Sequence, residues 1–340
     1  RITDAGSGES IVPIPSGQSA WNADESLLLL YRQGSGFELR DGRTGSPVAD
    51  LDINPADIEE IYWSPTDPAL LTYVDGVELV AFDVNSSTRQ ILHTFDGCAD
   101  VHSNGPVPPS ADGQLWGLLC IDDTGAVSPV AYRLGDGIDH RMAAEADAAV
   151  APIPTRSGLG LLVSRPGRGL DLYDPTLTDV IGSFPLIEDA NVIAAVDGDG
   201  AEVIVSTAFN SGPTGVGAAV AHPLDGSDPW PVVGEQTGHG TPPSGTHFAS
   251  GGLGTSERFA ITNRAVPQDG QPGVVDGEIL LVDLSGPEPT IVRLAHHRTL
   301  GGDYFSYPFV SLSPQGDRLL FSSDWGGDHV DTYLVDIPTK

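Results

Sequence analysis

Residues 304–338, YFSYPFVSLSPQGDRLLFSSDWGGDHVDTYLVDIP, carry an order of signals that recurs along the chain and leaves few folds open. Val310, Leu312 and Pro314 alternate with Ser311 and Ser313, and Gln315-Gly316-Asp317 reads as a turn. Arg318 to Ser322 holds an apolar run, Asp324-Trp325-Gly326-Gly327 turns the chain again, and Thr332 to Ile337 is a third strand. Alternation with a period of two, bounded by Gly, Pro and Asp, marks short strands joined by tight turns. Serine-proline, turn, apolar strand, turn, strand is the inner part of a four-stranded propeller blade, so recurrence decides the architecture.

The order recurs. Ser64-Pro65-Thr66-Asp67-Pro68 leads into LLTYV, the turn Asp75-Gly76, VELVAFDV and Arg89 to His93, so four strands are visible there. Pro109-Ser110-Ala111-Asp112-Gly113 leads into LWGLLCI, Ser157-Gly158 into GLLVS, and Asp197-Gly198-Asp199-Gly200 into EVIVSTAF. Trp21 to Glu25 stands in the same slot before Leu27 to Tyr31, and the longest unit, with a polar insertion at 268–273, contains GEILLVDLSG. The expectation is an all-β chain, one seven-bladed β-propeller domain with blades near 16–52, 58–95, 99–142, 150–184, 190–234, 245–295 and 304–338. A run rich in alanine at 139–149 reads either as a short helix or as an outer strand with a loop. The last unit lacks a fourth strand, while a proline-broken strand at 11–14 is spare. Pairing that N-terminal strand onto the last blade closes the ring and covers an open edge. A two-sheet sandwich gives no reason for the repeated order.

Composition narrows the function classes. The 42 glycines and 28 prolines leave little room for long helices. A net charge of −31, with Lys340 the one lysine, repels polyanions and excludes nucleic acid as a partner. Either a solvated acidic surface or local carboxylate groups recruiting a cation accounts for it. No run approaches the roughly 18 apolar residues of a membrane span. Residues 1–10 lack a signal-peptide core, which fits a mature secreted chain or an excised domain, placed outside the cell or in a periplasm. Cys98 and Cys120 flank one presumed strand-turn-strand unit, so a disulfide and a buried free pair both remain open.

The histidines are the first place to look for chemistry. His102, His247 and His297 stand near the innermost strands of three units, whose entering loops gather at one mouth of a propeller channel. Three imidazoles there, joined by Asp or Gln, would hold a divalent metal, manganese or calcium; unrelated loop histidines are the alternative. His239, in Gly238-His239-Gly240, is a candidate binding residue on a loop near the same mouth. Tyr304, Phe305, Tyr307 and Phe309 lie beside His297 and Arg298. Aromatic faces with a guanidinium suit a sugar ring and a carboxylate, with Tyr307 as a binding residue; inter-blade packing is the other reading of these rings, and the expected one for Trp325. Asp197-Gly198-Asp199-Gly200 is a turn and not a calcium loop, because Ala201 and Ala208 occupy ligand positions of that motif. No G-x-S-x-G, G-x-x-x-x-G-K-[ST] or G-x-G-x-x-G occurs, which removes support for serine-hydrolase, P-loop and dinucleotide chemistry.

His296-His297-Arg298-Thr299, the stretch Tyr307 to Arg318 and Phe321-Ser322-Ser323-Asp324-Trp325-Gly326 resemble the blade motif of TolB-like (PD40-type) propellers, and are most similar to the secreted branch that includes oligogalacturonate lyases. The resemblance implies a propeller fold, an acidic oligosaccharide as substrate, and a manganese ion held by histidines and a glutamine at the channel mouth. Phe309 stands where that motif carries a histidine. Two functions follow as expectations. The first is a secreted propeller binding carbohydrate at its mouth. The alternative is a metal-assisted polysaccharide lyase cleaving a uronate by β-elimination, with His297 or Tyr304 taking the α-proton and Arg298 neutralising the carboxylate.

Overall fold

The structure is a computed structural model that describes residues 1–14, 19–143, 150–165, 167–185, 187, 192–208, 217–239, 246–251, 255–263 and 275–338. Among these residues the strands form seven antiparallel sheets, each a meander in which neighbours in sequence are neighbours in space. They span residues 11–51 (sheet 1), 61–94 (sheet 2), 100–141 (sheet 3), 153–184 (sheet 4), 193–233 (sheet 5), 246–296 (sheet 6) and 310–336 (sheet 7). Six have four strands, and sheet 7 has three. No helix among the described residues is long and apolar enough to cross a membrane. Within 139–149, Asp139–Arg141 is the outer strand of sheet 3, while 144–149 and the insertion at 268–273 lie outside the described residues.

Two recurring side chains explain why so many different sequences make the same sheet. The serine or threonine at the first turn caps it with its hydroxyl. Ser110 Oγ accepts from Leu115 N at 2.9 Å, Thr155 Oγ1 from Gly160 N at 3.1 Å and Ser313 Oγ from Arg318 N at 3.1 Å. At the end of the third strand an aspartate does the same for the next turn. Asp41 accepts from Thr44 N at 2.7 Å, Asp83 from Ser86 N at 2.8 Å, Asp174 from Thr178 N at 2.7 Å and Asp283 from Ser285 N at 3.0 Å. Such Asx and Ser/Thr turns supply a backbone donor with a partner that the ladder cannot provide. These bonds hold the Asp174 carboxyl down at about 2, below the ordinary aspartate value, against the opposing pull of partial burial. Part of the chain's acidity is therefore turn chemistry.

The chain falls into two compact units, Arg1–Trp21 with Glu25–Asp52 and Asn191–Lys340, and Asn22–Asp24 with Ile53–Ala190. In the first, Val203, Val205, Phe259, Ile261 and Val282 pack sheet 5 on sheet 6, and Ala260, Leu281, Leu312 and Leu319 pack sheet 6 on sheet 7. In the second, Val74, Leu79, Trp116 and Leu118 join sheets 2 and 3, and Leu115, Ala131, Leu161 and Val163 join sheets 3 and 4. Both faces of the second strands of sheets 1, 3 and 5 are covered along their middles, which is why LLLL, LLCI and VIV read as unbroken apolar runs instead of alternating ones. Val48, Ile91, Val180 and Val292 lie exposed on outer strands.

The N-terminal segment closes the last sheet as expected, but through residues 2–11 and not through a strand at 11–14. Ile11–Pro13 is the first strand of sheet 1, pairing antiparallel with Leu30 to Arg32, and is not the fourth strand of sheet 7. The backbone ladder decides this, since the buried side chains face both ways, Ile11 packing with Trp21, Leu28, Leu30 and Leu320, and Val12 with Phe309 and Val330. The open edge of sheet 7 is covered by residues 2–11. Ile2 N donates to Thr332 O, Gly8 N to Asp328 O, Ile11 N to Val330 O, and Val330 N to Glu9 O. Within the strand Asp331–Asp336 the N-terminal segment satisfies Thr332 at both backbone groups, its O from Ile2 N and its N through Thr3 Oγ1, and the other bonds cover the turn just before it. Cys98 and Cys120 are joined in a disulfide within the second unit.

Candidate functional site

The best-built surface site lies in the first unit, where the segment between sheets 6 and 7 meets the turn 324–327. The strand Thr290–His296 ends in His296, and His297 follows with its side chain wholly buried, 0% exposed. Its backbone N donates to Gly277 O at 2.9 Å, and its ring Nδ1 accepts from Thr299 N at 3.1 Å. Arg298 is exposed and left-handed, φ 60°, a conformation that bulky L-residues hold only when their surroundings impose it. Thr299 Oγ1 donates to Ser306 O at 2.9 Å, tying this loop to the one-turn 3-10 helix Tyr304–Ser306. Asp303 caps that helix, accepting from Ser306 N at 3.0 Å.

Tyr304 is 38% exposed and opens an aromatic cluster. Its ring centroid lies 5.1 Å from that of Phe309, 5.3 Å from Phe305 and 6.3 Å from Tyr307. Phe305 in turn stacks on Tyr31 at 5.8 Å. Phe309 is buried against Val12 and Val330. The structure thus brings Arg298, Tyr304 and Tyr307 onto one pair of tied loops, with the buried His297 next to Arg298 in the chain.

Of the other candidate residues, His239 follows the 3-10 helix Glu235–Thr237, and its Nδ1 donates to Thr237 O at 2.7 Å. That bond places the ring proton on Nδ1 and the lone pair on Nε2, the polarity of a base or an acceptor. His247 is in the strand Thr246–Gly251 opposite Thr262, and its side chain lies outside the described residues. His102 belongs to the second unit, at the end of Asp100–His102.

The expected metal does not fit the residues described. A metal-bound imidazole donates its second N–H to an acceptor. The His297 ring does the reverse and accepts a backbone N–H, as does His296 Nδ1 from Arg298 N at 3.2 Å. Among the described residues no group of three His, Cys, Asp or Glu converges.

Two features escaped the sequence. Trp325, expected to pack between blades, is 56% exposed. The indole lies over Tyr333, ring centroids 5.2 Å apart, and nothing in its spacing distinguishes a covered ring from an open one. The second is Glu60 in the other unit, 2% exposed, beside Tyr62, Ser103 and His102. Its Oε1 accepts from Ser103 N at 2.8 Å and Asn104 N at 2.9 Å, while Oε2 and the Tyr62 hydroxyl have no partner among the described residues. Burial raises the Glu60 pKa, against those hydrogen bonds and nearby His102. A folded-state pKa above the unfolded value means that this group's contribution is intact below pH 4.5 and is lost as pH rises through the raised value. Glu60→Gln is therefore expected to stabilise the fold at pH 7.5 by about 1 kcal/mol and to be nearly neutral at pH 4, read from urea midpoints. Destabilisation at pH 7.5 that shrinks at pH 4 would show instead that the carboxylate is ionised and satisfied.

No protein-family model matches the chain, and no curated protein matches it. Solved structures do. The chain is similar to an oligogalacturonate lyase in complex with manganese, at 16% identity and TM-score 0.68 over 97% of this chain and 91% of that one. It is similar to an oligogalacturonate lyase from Vibrio parahaemolyticus, at 17% identity and TM-score 0.69 over 99% and 93%. The β-propeller domain of Cps50 (Swd1) from Myceliophteria thermophila matches at 12% identity and TM-score 0.51 over 97% and 98%. Likenesses of this extent at such low identity speak to architecture alone, and with the seven meandering sheets they make this chain a seven-bladed β-propeller.

Proposed function

We propose that the chain is a TolB-like propeller, working outside the cell, that binds carbohydrate on the loops carrying Arg298, Tyr304 and Tyr307. The observation that carries the reading is the exposed Arg298, in a left-handed conformation, tied through Thr299 and Ser306 to the exposed ring of Tyr304. A guanidinium offers paired donors to hydroxyls and carboxylates, and tyrosine rings offer an apolar face with a polar rim. The Cys98–Cys120 disulfide supports an oxidising compartment. Calorimetric titration with neutral and acidic oligosaccharides is the test. Arg298→Ala and Tyr304→Ala are each expected to weaken binding about tenfold. A protein that binds no member of a broad glycan array is not a carbohydrate binder.

The second reading is a lyase acting on a uronate oligosaccharide, favoured by the fold shared with two oligogalacturonate lyases. A divalent cation, manganese or calcium, belongs to that reading, and the hydrogen-bond polarity of His297 counts against this ring as its ligand. Arg298 would neutralise the carboxylate at the surface. Metal analysis of the purified protein, with absorbance at the unsaturated-uronate band during incubation with oligogalacturonate, separates the readings. Stoichiometric metal together with a rising band establishes the lyase; neither signal ends it.

A further inference from the structure

We propose that Trp325 is a stacking platform for the apolar face of a pyranose ring, a separate subsite at the edge of the Arg298–Tyr304 loops. The inference rests on the carbohydrate reading above and adds a residue and a role to it.

Trp21, Trp63 and Trp116 are buried and Trp230 is half-buried, whereas the indole of Trp325 is 56% exposed. One face lies over Tyr333, centroids 5.2 Å apart at 28°, and Tyr333 stacks in turn on Phe321 at 5.2 Å and 18°. A ring with one face on a stacked pair and more than half its surface in solvent offers its other face to a ligand. The backbone of Trp325 is left-handed, φ 47°, which a residue with a bulky side chain adopts only under constraint.

The constraint is visible. Asp324 Oδ1 accepts from Gly326 N at 2.8 Å and from Leu300 N at 3.0 Å, Oδ2 accepts from Gly301 N at 3.3 Å, and Trp325 N donates to Ser323 Oγ at 2.9 Å. One carboxylate thus locks the Trp325 turn to the loop two residues beyond Arg298, the neighbouring exposed left-handed residue. Strain at an exposed aromatic gains the core nothing, and rigid strained positions mark ligand clamps.

The size and rim of the patch choose the occupant. Trp325 and Leu300, the latter 78% exposed, are two side chains, far short of the roughly 800 Å² per partner of a stable protein interface. Asp328 and His329, paired at 3.1 Å, follow Gly327 in the same turn and give this edge polar groups. A flat apolar face with hydrogen-bonding neighbours matches a sugar ring, with its C–H faces and equatorial hydroxyls.

Trp325→Gly is the informative variant, because glycine is at ease at φ 47° and relieves the strain while removing the platform. Binding of cellohexaose, maltohexaose, chitohexaose and hexagalacturonate is measured by calorimetry, alongside quenching of tryptophan emission by acrylamide. For whichever sugar binds, the native protein is expected to show a blue shift and protection from acrylamide. Trp325→Gly and Trp325→Ala are expected to lose both and to bind about tenfold more weakly, with Trp325→Gly unfolding at no lower urea concentration than the native protein. Trp325→Phe retains a stacking face and is expected to stay within about threefold. If the native protein binds and Trp325→Gly binds within twofold, the platform is wrong and the carbohydrate reading stands. If no sugar gives heat with the native protein, both fall.

Discussion

Asp331→Ala is expected to destabilise the fold by about 3 kcal/mol, one of the largest single-residue losses outside the apolar core. Asp331 is 1% exposed and fastens the N-terminal segment to sheet 7. Its Oδ1 accepts from Thr3 Oγ1 at 2.7 Å and from Ala5 N at 2.9 Å, and its Oδ2 from Arg1 at 3.0 Å. Thr3 Oγ1 accepts in turn from Thr332 N at 2.8 Å. Alanine leaves a buried hydroxyl and a buried N–H without an acceptor, each costing roughly 1–3 kcal/mol, and loosens the strip covering the sheet edge. Urea unfolding followed by tryptophan emission reads the loss. Asp331→Asn, which keeps one carbonyl oxygen, is expected to lose less than half as much. A shift under 0.5 kcal/mol, taken as roughly the background for a surface substitution, would mean that the segment contributes nothing to closure.

The disulfide is the second large term. Cys98 and Cys120 are 22 residues apart, and closing a loop of that length in the unfolded chain is worth about 3 kcal/mol by chain entropy. Cys120 is buried in the cluster with Val101, Trp116 and Val130, so its replacement also disturbs packing. Reduction without mutation isolates the crosslink. The reduced native protein and Cys98→Ser/Cys120→Ser should both unfold at lower urea, the double variant at the lower concentration of the two. No change on complete reduction, verified by thiol titration, would show that the unfolded chain gains no freedom from losing the bond.

The difference between what was legible and what was not follows the range of the interactions. Ser110, Thr155 and Ser313 cap turns within five residues of themselves, and Asp41, Asp83, Asp174 and Asp283 do so within four. Chemistry of such short range is written in sequence order, so the repeat showed the strands, the turns and the all-β class. Arg298, Tyr304 and Tyr307 were legible as a group for the same reason, being ten residues apart at most.

Glu60 was not, because its unusual state comes from Ser103 and Asn104, more than forty residues away, and from burial that its flanking residues do not announce. Trp325 was misplaced because an aromatic after a strand looks the same whether a neighbouring sheet covers it or not. Closure of the last sheet by the N-terminal segment was legible, but the residues that do it are 2–11, while Ile11–Pro13 ladders with sheet 1. Ile11–Pro13 and residues 2–10 lie on adjacent edges, and only the backbone pairings show which takes which.

By itself, then, the sequence determined the number and kind of building units, through local turn chemistry and the apolar second strand of each sheet. The tertiary structure decided how the N-terminal segment covers sheet 7, that Cys98 meets Cys120, that His297 is buried with a backbone N–H on its ring, and that Trp325 stands open. Each of these is a matter of which distant group arrives at a side chain, and arrival is set by the packing of whole sheets.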